Sequence, residues 1–313
     1  MTTPTARGRE AVLAYSGGTI DRASNQRADP GFVDTILAAA GTRLIPMWRD
    51  QCIVSGEAAA PVMLAAAEAG AVLEAAAETV FLGIDDDGGI FAADVSALEE
   101  SRAVEVAGGD RVLDVRGLVG TLEHGEAALL GYARGLLHWN RHQQYCGTCG
   151  SVTRSGHGGR LRACENPACA RLHFPRVEPA VIMLVETRGT PARCLLARHK
   201  GSAPGGYSLL AGFVDVSESL EDAVRREVAE ETGVPVDQVT YVVSQGWPFP
   251  SGLMVGFRAI AAAETVTVDG QEVLQARWFT RAELLEHAAS GGRLGRPDSI
   301  DRYLLRTWLA ESA

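Results

Sequence analysis

Residues 212–234 read Gly-Phe-Val-Asp-Val-Ser-Glu-Ser-Leu-Glu-Asp-Ala-Val-Arg-Arg-Glu-Val-Ala-Glu-Glu-Thr-Gly-Val. The middle of this stretch has the pattern of one helix. Ser219 is an N-cap with Asp222 three residues on, and Gly233 stands where a helix stops. Leu220, Ala223, Val224 and Val228 recur at helical spacing and form an apolar stripe. Glu227 and Glu231 are i, i+4 neighbours on the opposite face, and Glu230 lies three residues after Glu227. Three carboxylates crowded on one turn repel each other unless a cation neutralises them. Oxygen ligands of this kind suit Mg2+ or Mn2+, hard ions that also bridge phosphate oxygens. A solvated acidic face would account for Glu221 and Asp222. It leaves unexplained the glycines at both ends and Arg226, whose guanidinium can hold a carboxylate such as Glu218 or a catalytic glutamate in a fixed orientation.

The run G-x5-E-x7-R-E-U-x-E-E-x-G-U, with U apolar, is met at every fixed position. It resembles the box of the Nudix hydrolases, a motif that still needs its structural context.

Downstream of the box, Ser244-Gln245-Gly246-Trp247-Pro248-Phe249-Pro250-Ser251-Gly252 sets two aromatics between prolines. Prolines restrict the backbone and lower the entropy cost of presenting Trp247 and Phe249. Such rings can stack on a purine or a nicotinamide, or they can simply plug the core.

Upstream, four of the six cysteines fall in one window, Cys146-x2-Cys149 and Cys164-x4-Cys169. Paired cysteines at this spacing read as a closed, structural zinc site with four thiolate ligands. Gly147 and Gly150 suit the turns around the first pair, and Asn166-Pro167 can supply the extra turn in the second. Disulfides are the alternative, and a reducing cytosol disfavours them. His157 and His173 could replace a ligand, but four cysteines make this unnecessary. Cys52 and Cys194 stand alone in apolar surroundings and read as buried small hydrophobes.

The chain has 313 residues, 46% hydrophobic and 22% charged, enough for one or two domains plus a small module. A net charge of −10 argues against broad binding to nucleic acid or anionic membrane. No apolar run approaches the ~20 residues of a membrane span, and the first residues lack the apolar region of a signal peptide, so a cytoplasmic location is expected.

Four parts are expected: 1–122, an N-terminal α+β domain; 123–143, a linking helix; 144–174, the zinc ribbon; and 175–313, the catalytic domain. In the first part strand-like runs lie at 11–15, 43–47 and 79–84, a hairpin turn at 85–89, and a helix or two in the Ala-rich stretch from Pro61 to Ala77. No catalytic constellation stands out there. A helix from about Gly125 to His142 carries Leu129, Tyr132, Ala133, Leu136, Leu137 and Asn140 on one face. In the last part, strands are expected over 177–186, 194–198, 207–213, 239–244, 253–261 and 273–279. The capping box Thr280-x-x-Glu283 opens a helix, and a final helix covers roughly 298–311. Strands around a catalytic helix, with further helices outside, indicate an α/β/α sandwich with a mixed sheet.

The order of N-terminal domain, zinc ribbon, Nudix box and proline-aromatic array resembles the bacterial NADH pyrophosphatase family, the NudC type. The likeness runs along essentially the whole chain and is strongest from Tyr145 to Phe279. It implies a metal-dependent hydrolase that splits NAD(H) into AMP and nicotinamide mononucleotide, removes NAD caps from RNA 5′ ends, and works as a homodimer. Carried over by position, the catalytic set is Arg226, Glu227, Glu230 and Glu231. The divalent metal is held by the carbonyl of Ala211 and by Glu227, Glu231 and Glu272. Cys146, Cys149, Cys164 and Cys169 correspond to the zinc ligands. Gln245 to Gly252 contact the substrate, and Phe213 and Phe174 are stacking rings. Gly246 stands where the family has proline, Gly252 where it has serine, Phe174 where tyrosine is frequent, and Asp301, next to the substrate, where a small residue is usual. These departures bear on affinity and substrate preference rather than on the metal cluster.

Two other readings remain open. One keeps the enzyme and changes the substrate to ADP-ribose, a dinucleoside polyphosphate or a coenzyme A-like diphosphate. The other is an RNA-binding or regulatory protein acting through the ribbon, which Arg154, Arg160, Arg162, Arg171 and Arg176 make locally basic.

Overall fold

The computed structural model describes residues 13–203, 205–268 and 270–311. The backbone separates into two compact units: Tyr15–Arg176 with Pro248–Ser251, and Val177–Trp247 with Ala14 and the chain from Gly252 onward.

The first unit begins with α1 (Pro30–Leu37), β1 (Arg43–Trp48), β2 (Gln51–Ser55), β3 (Ala60–Pro61), β4 (Leu64–Ala65) and α2 (Gly70–Ala75). It continues with β5 (Glu78–Asp85), β6 (Gly88–Asp94), α3 (Glu100–Val106), β7 (Arg111–Leu113), α4 (Val115–Leu118) and α5 (His124–His142). The sheet order is β3-β2-β1-β6-β5, with β1 and β6 parallel. The hairpin turn falls where expected, Asp85 pairing with Gly88 across it.

The Ala-rich stretch holds one short helix, α2. Its first part is drawn into the sheet, Pro61 opposite Val54 and Leu64 opposite Leu44, so strand pairing overrides alanine's helix preference. Of the strand-like run at 11–15, residues 11 and 12 lie outside the described residues, and 14–15 form a turn in which Tyr15 has φ 62°.

Helix α5 opens on a capping box between Glu123 and Glu126. It buries Ala127, Leu130, Ala133, Leu136, Leu137 and Asn140, whereas Leu129 and Tyr132 are only half-buried. Asn140 is fully buried, and its amide donates to the Gly159 carbonyl at 2.8 Å while its Oδ1 accepts from Arg162 at 3.2 Å. These bonds tie the helix to the ribbon strands β8 (Thr153–Gly156), β9 (Leu161–Cys164) and β10 (Leu172–His173).

The second unit holds β11 (Glu178–Glu186), β12 (Arg193–His199), β13 (Leu210–Phe213), α6 (Leu220–Thr232) and β14 (Val236–Trp247). After these come β15 (Gly252–Ala261), β16 (Val273–Thr280), α7 (Arg281–Ala289) and α8 (Ile300–Ala310). The strand order is β14-β15-β11-β12-β16, with β13 beside β11. β11 and β15 run parallel and the other pairs antiparallel, so the sheet is mixed, as expected. Alternation along β11 sends its side chains to two cores. Val181, Met183 and Val185 pack with Ala223, Val224 and Val228 of α6. Ile182 and Leu184 pack with Leu284 of α7 and with Leu304, Leu305 and Trp308 of α8. This is the expected sandwich.

The strand expected over 207–213 is shorter than its apolar run, because Leu209 turns its N–H to Asp301 Oδ1 at 3.4 Å instead of a neighbouring strand.

Candidate active site

Strand β13 and helix α6 build the site. Ser219 caps α6, its hydroxyl accepting from Asp222 N at 3.1 Å, and Gly233 ends it in the left-handed region at φ 69°. The apolar stripe faces the sheet, which turns the acidic side of the helix toward Gly212. A Cβ built on Gly212 would lie 1.9 Å from Glu227 Cδ and 2.0 Å from its Oε1, so only glycine leaves room for that carboxylate.

Arg226 organises the acids. Its Nε and Nη2 each reach Glu218 at 2.8 Å, its Nη1 reaches Glu227 at 2.8 Å and Glu230 at 3.0 Å, and its Nη2 also donates to the Phe213 carbonyl at 2.8 Å. The guanidinium forks hold the whole set by charge-assisted bonds. The Arg226 bonds pull the Glu218 carboxyl down to about 2, helped by the Asp215 N–H. Glu227 moves the other way: burial raises its pKa, with Glu230 and Glu272 adding repulsion that Arg226 only partly offsets. That repulsion places Glu272 electrostatically within the group although its side chain is exposed. Glu231 is 5% exposed, with His199 Nδ1 3.8 Å from its Oε1. A cradle of carboxylate oxygens shaped by Gly212 fits a hard divalent cation. Ala211, whose carbonyl was expected among the ligands, lies in β13 opposite Ile182.

The four ribbon cysteines converge, their Sγ atoms all within 4.8 Å of one another, and none forms a disulfide. The first pair uses Gly150 at φ 74°. The longer second gap is closed by Asn166, whose carbonyl accepts from Cys169 N at 2.9 Å and Ala170 N at 2.8 Å. His173 Nε2 lies 3.3 Å from Cys146 Sγ, beside the tetrad rather than in it. Arg162 departs from the expected basic surface. It is buried, with Glu78 at 3.0 Å and the Thr153 carbonyl at 2.8 Å.

The proline-aromatic array is divided in its roles. Gln245 is fully buried; its amide donates to the carbonyls of Ala14 and Asp298 at 3.1 and 2.7 Å, and its Oε1 accepts from Ile300 N at 2.8 Å. Three bonds to distant backbone make Gln245 a staple inside its unit. Gly246 continues β14 opposite Leu253. Trp247 is half-buried and pairs with Gly252, where an added Cβ would meet the Trp247 carbonyl oxygen at 3.3 Å.

Phe249 is packed inside the first unit. The guanidiniums of Arg116 and Arg134 lie 3.7 and 4.8 Å from its ring centre, and Tyr15 meets its edge at 5.3 Å. Arg134 also donates to the Pro248 carbonyl, and Pro248 sits against Gly131, while Ser251 is half-buried and Pro250 exposed. Phe213 and Phe174 are 65% and 57% exposed, each open to a stacking partner. Asp301 is buried at the start of α8, where burial pushes its pKa up to about 6.

The sequence reading passed over His199 and Lys200. Their signal is the basic run Arg198-His199-Lys200 directly after the apolar strand residues 194–197. It also missed the ion network beside α5, where burial raises the Asp50 pKa but bonds from His138 and Arg141 more than offset this.

Comparison with known proteins agrees with this geometry. Residues 176–297 match the NUDIX domain, and residues 41–139 match the NADH pyrophosphatase-like rudimentary NUDIX domain. The chain is 44% identical over 199 residues to NAD-capped RNA hydrolase NUDT12 of Macaca fascicularis, covering 60% of this chain and 43% of the relative. It is 43% identical over 182 residues to NAD-capped RNA hydrolase NudC of Stutzerimonas stutzeri, covering 58% of this chain and 62% of the relative. The NudC protein of Deinococcus radiodurans gives 43% over 182 residues, 58% of this chain and 64% of the relative. The chain thus spans less than two thirds of each relative's length.

Proposed function

We propose, for a chain that carries a Nudix domain behind an NADH pyrophosphatase-like rudimentary one, the hydrolysis of the diphosphate bond of NAD(H) to NMN(H) and AMP, together with removal of NAD caps from RNA 5′ ends. The observation that carries this reading is the carboxylate set held by Arg226 around the Gly212 cradle. The relatives' names supply the substrate class.

Glu227, Glu231, Glu272 and the Ala211 carbonyl would hold Mg2+ or Mn2+. Such a cation supplies Lewis acidity to a phosphoryl oxygen and to the attacking water. Glu230, exposed at the rim of the set, would take the water's proton. Arg226 orients rather than reacts, since its donors are spent on Glu218, Glu227, Glu230 and Phe213. Trp247 and Phe213 are the rings left in this unit to stack on a base. The cysteine tetrad would hold Zn2+ as a closed structural site.

No helix among the described residues is long and apolar enough to cross a membrane, and we place the protein in the cytoplasm. Exposed Tyr145, Val152, Leu172 and Phe174 on the ribbon suit burial against a second copy, as a homodimer would provide.

The test is product analysis by chromatography, with NADH, NAD+, ADP-ribose and NAD-capped RNA assayed in parallel and Glu231→Gln as the control. NMNH and AMP from NADH, lost in the control, support the proposal. Turnover of ADP-ribose alone would move the activity to another diphosphate, and no turnover of any would leave the ribbon as the working part.

A further inference from the structure

Beside the carboxylate set lies a shallow, open cavity of about 480 Å3 lined by His199, Lys200, Gln271 and Glu272. Its shape comes from the backbone. A register shift between Arg198 and His199 interrupts the β12–β16 ladder and re-aims the side chains that follow. Lys200 N–H then donates to the Glu272 carbonyl at 2.9 Å, which fixes the segment bearing Glu272 against the end of β12. Two basic side chains, one amide and one acidic candidate ligand therefore share the cavity, and His199 also approaches the buried Glu231 at 3.8 Å.

A diphosphate drawn to a group of carboxylates needs positive charge or N–H donors of its own. Arg226, the nearest guanidinium in sequence, has none left to give. Four other arginines of the unit are paired with acids: Arg225 with Asp222, Arg193 with Glu264, Arg188 with Asp237, and Arg258 with Glu186 and Glu311. Lys200 and His199 are the basic side chains that line the cavity, beside the Gln271 amide. An ammonium supplies a compact, mobile charge to phosphate oxygens, and an imidazole supplies a directed N–H.

We infer that His199 and Lys200 form the phosphate-binding wall of this cavity, taking the anionic oxygens of a diphosphate ester while the box carboxylates hold the cation. The inference rests on the diphosphatase reading, and its test separates the two. The affinity of the full-length protein for α,β-methylene-ADP, whose bridge resists hydrolysis, is measured by calorimetry in Mg2+ for the wild type, Lys200→Met, His199→Gln and the double variant. Adenosine is the uncharged control, and melting temperature checks folding. The expected result is a rise of about tenfold in Kd for the analogue with each single change and more for the pair, with adenosine binding unmoved. Unchanged analogue affinity, or an equal loss for adenosine, overturns the assignment even where the wild type hydrolyses NADH. Wild type inert toward NADH but showing the expected variant pattern removes the proposed substrate and keeps the phosphate wall.

Discussion

Gly212 and Glu227 share a space that only one side chain can occupy: a Cβ at 212 would lie 1.9 Å from Glu227 Cδ. Gly212→Ala should therefore displace the Glu227 carboxylate while leaving β13 paired with β11. Misplacing a reacting group by about 1 Å costs on the order of a hundredfold in rate, so kcat for NADH should fall at least that far while the melting temperature changes by only a few degrees. Wild-type kcat in a folded variant would show that Glu227 sits elsewhere during the reaction.

Arg226→Lys keeps the charge and loses the fork. An ammonium cannot bridge Glu218 on two atoms and still reach Glu227 and Glu230. The carboxylates should then splay, and the Mg2+ concentration giving half-maximal rate should rise together with a fall in kcat/KM of about tenfold or more. A fall in kcat/KM with no change in the Mg2+ midpoint would point to direct contact between Arg226 and the substrate.

The two array aromatics should separate in their effects. Arg116, Arg134 and Tyr15 surround Phe249, so Phe249→Leu should lower stability by about 1–3 kcal/mol through lost cation–π and ring contacts. Trp247→Ala should instead raise KM for NADH more than it lowers kcat, the signature of equal binding in ground and transition states. A Phe249→Leu variant with unchanged melting temperature and a raised KM would return Phe249 to the substrate.

Cys146→Ser breaks the tetrad at one of its two buried members. For a small ribbon, metal affinity is folding free energy, so zinc content should drop and the melting temperature should fall. One zinc per chain retained by elemental analysis would reject the four-cysteine assignment.

These residues divide by how their roles are encoded. The box helix could be read because its cap, stripe and acids repeat at spacings that a helix alone imposes, and the ribbon because thiolates must pair to reach one ion. Gln245 could not: its three partners, at Ala14, Asp298 and Ile300, lie up to 231 positions away. Phe249 likewise owes its packing to Tyr15, Arg116 and Arg134. In the Ala-rich stretch the helix is confined to Gly70–Ala75, because residues 60–65 pair with β1 and β2, partners invisible in its own composition. His199 carried a local signal, but its nearness to Glu231 belongs to the fold.

Asp301 gives a prediction in pH. Burial raises its pKa from 3.8 to about 6, with the Leu209 N–H only partly opposing this. A carboxyl raised in the folded state favours folding most when both states are protonated, below the unfolded pKa. That contribution is lost as pH climbs through the folded value, and above about 6 the buried charge costs on the order of 3 kcal/mol. Its place in the first turn of α8, where a negative charge is welcome, trims the cost. Asp301→Asn keeps an oxygen to accept from Leu209 and removes the charge. The variant should be more stable than the wild type at pH 7 by several degrees in melting temperature, and the gap should close toward pH 4. A gap that stays constant between pH 4 and pH 7 would mean that Asp301 is not ionised at the expense of the fold.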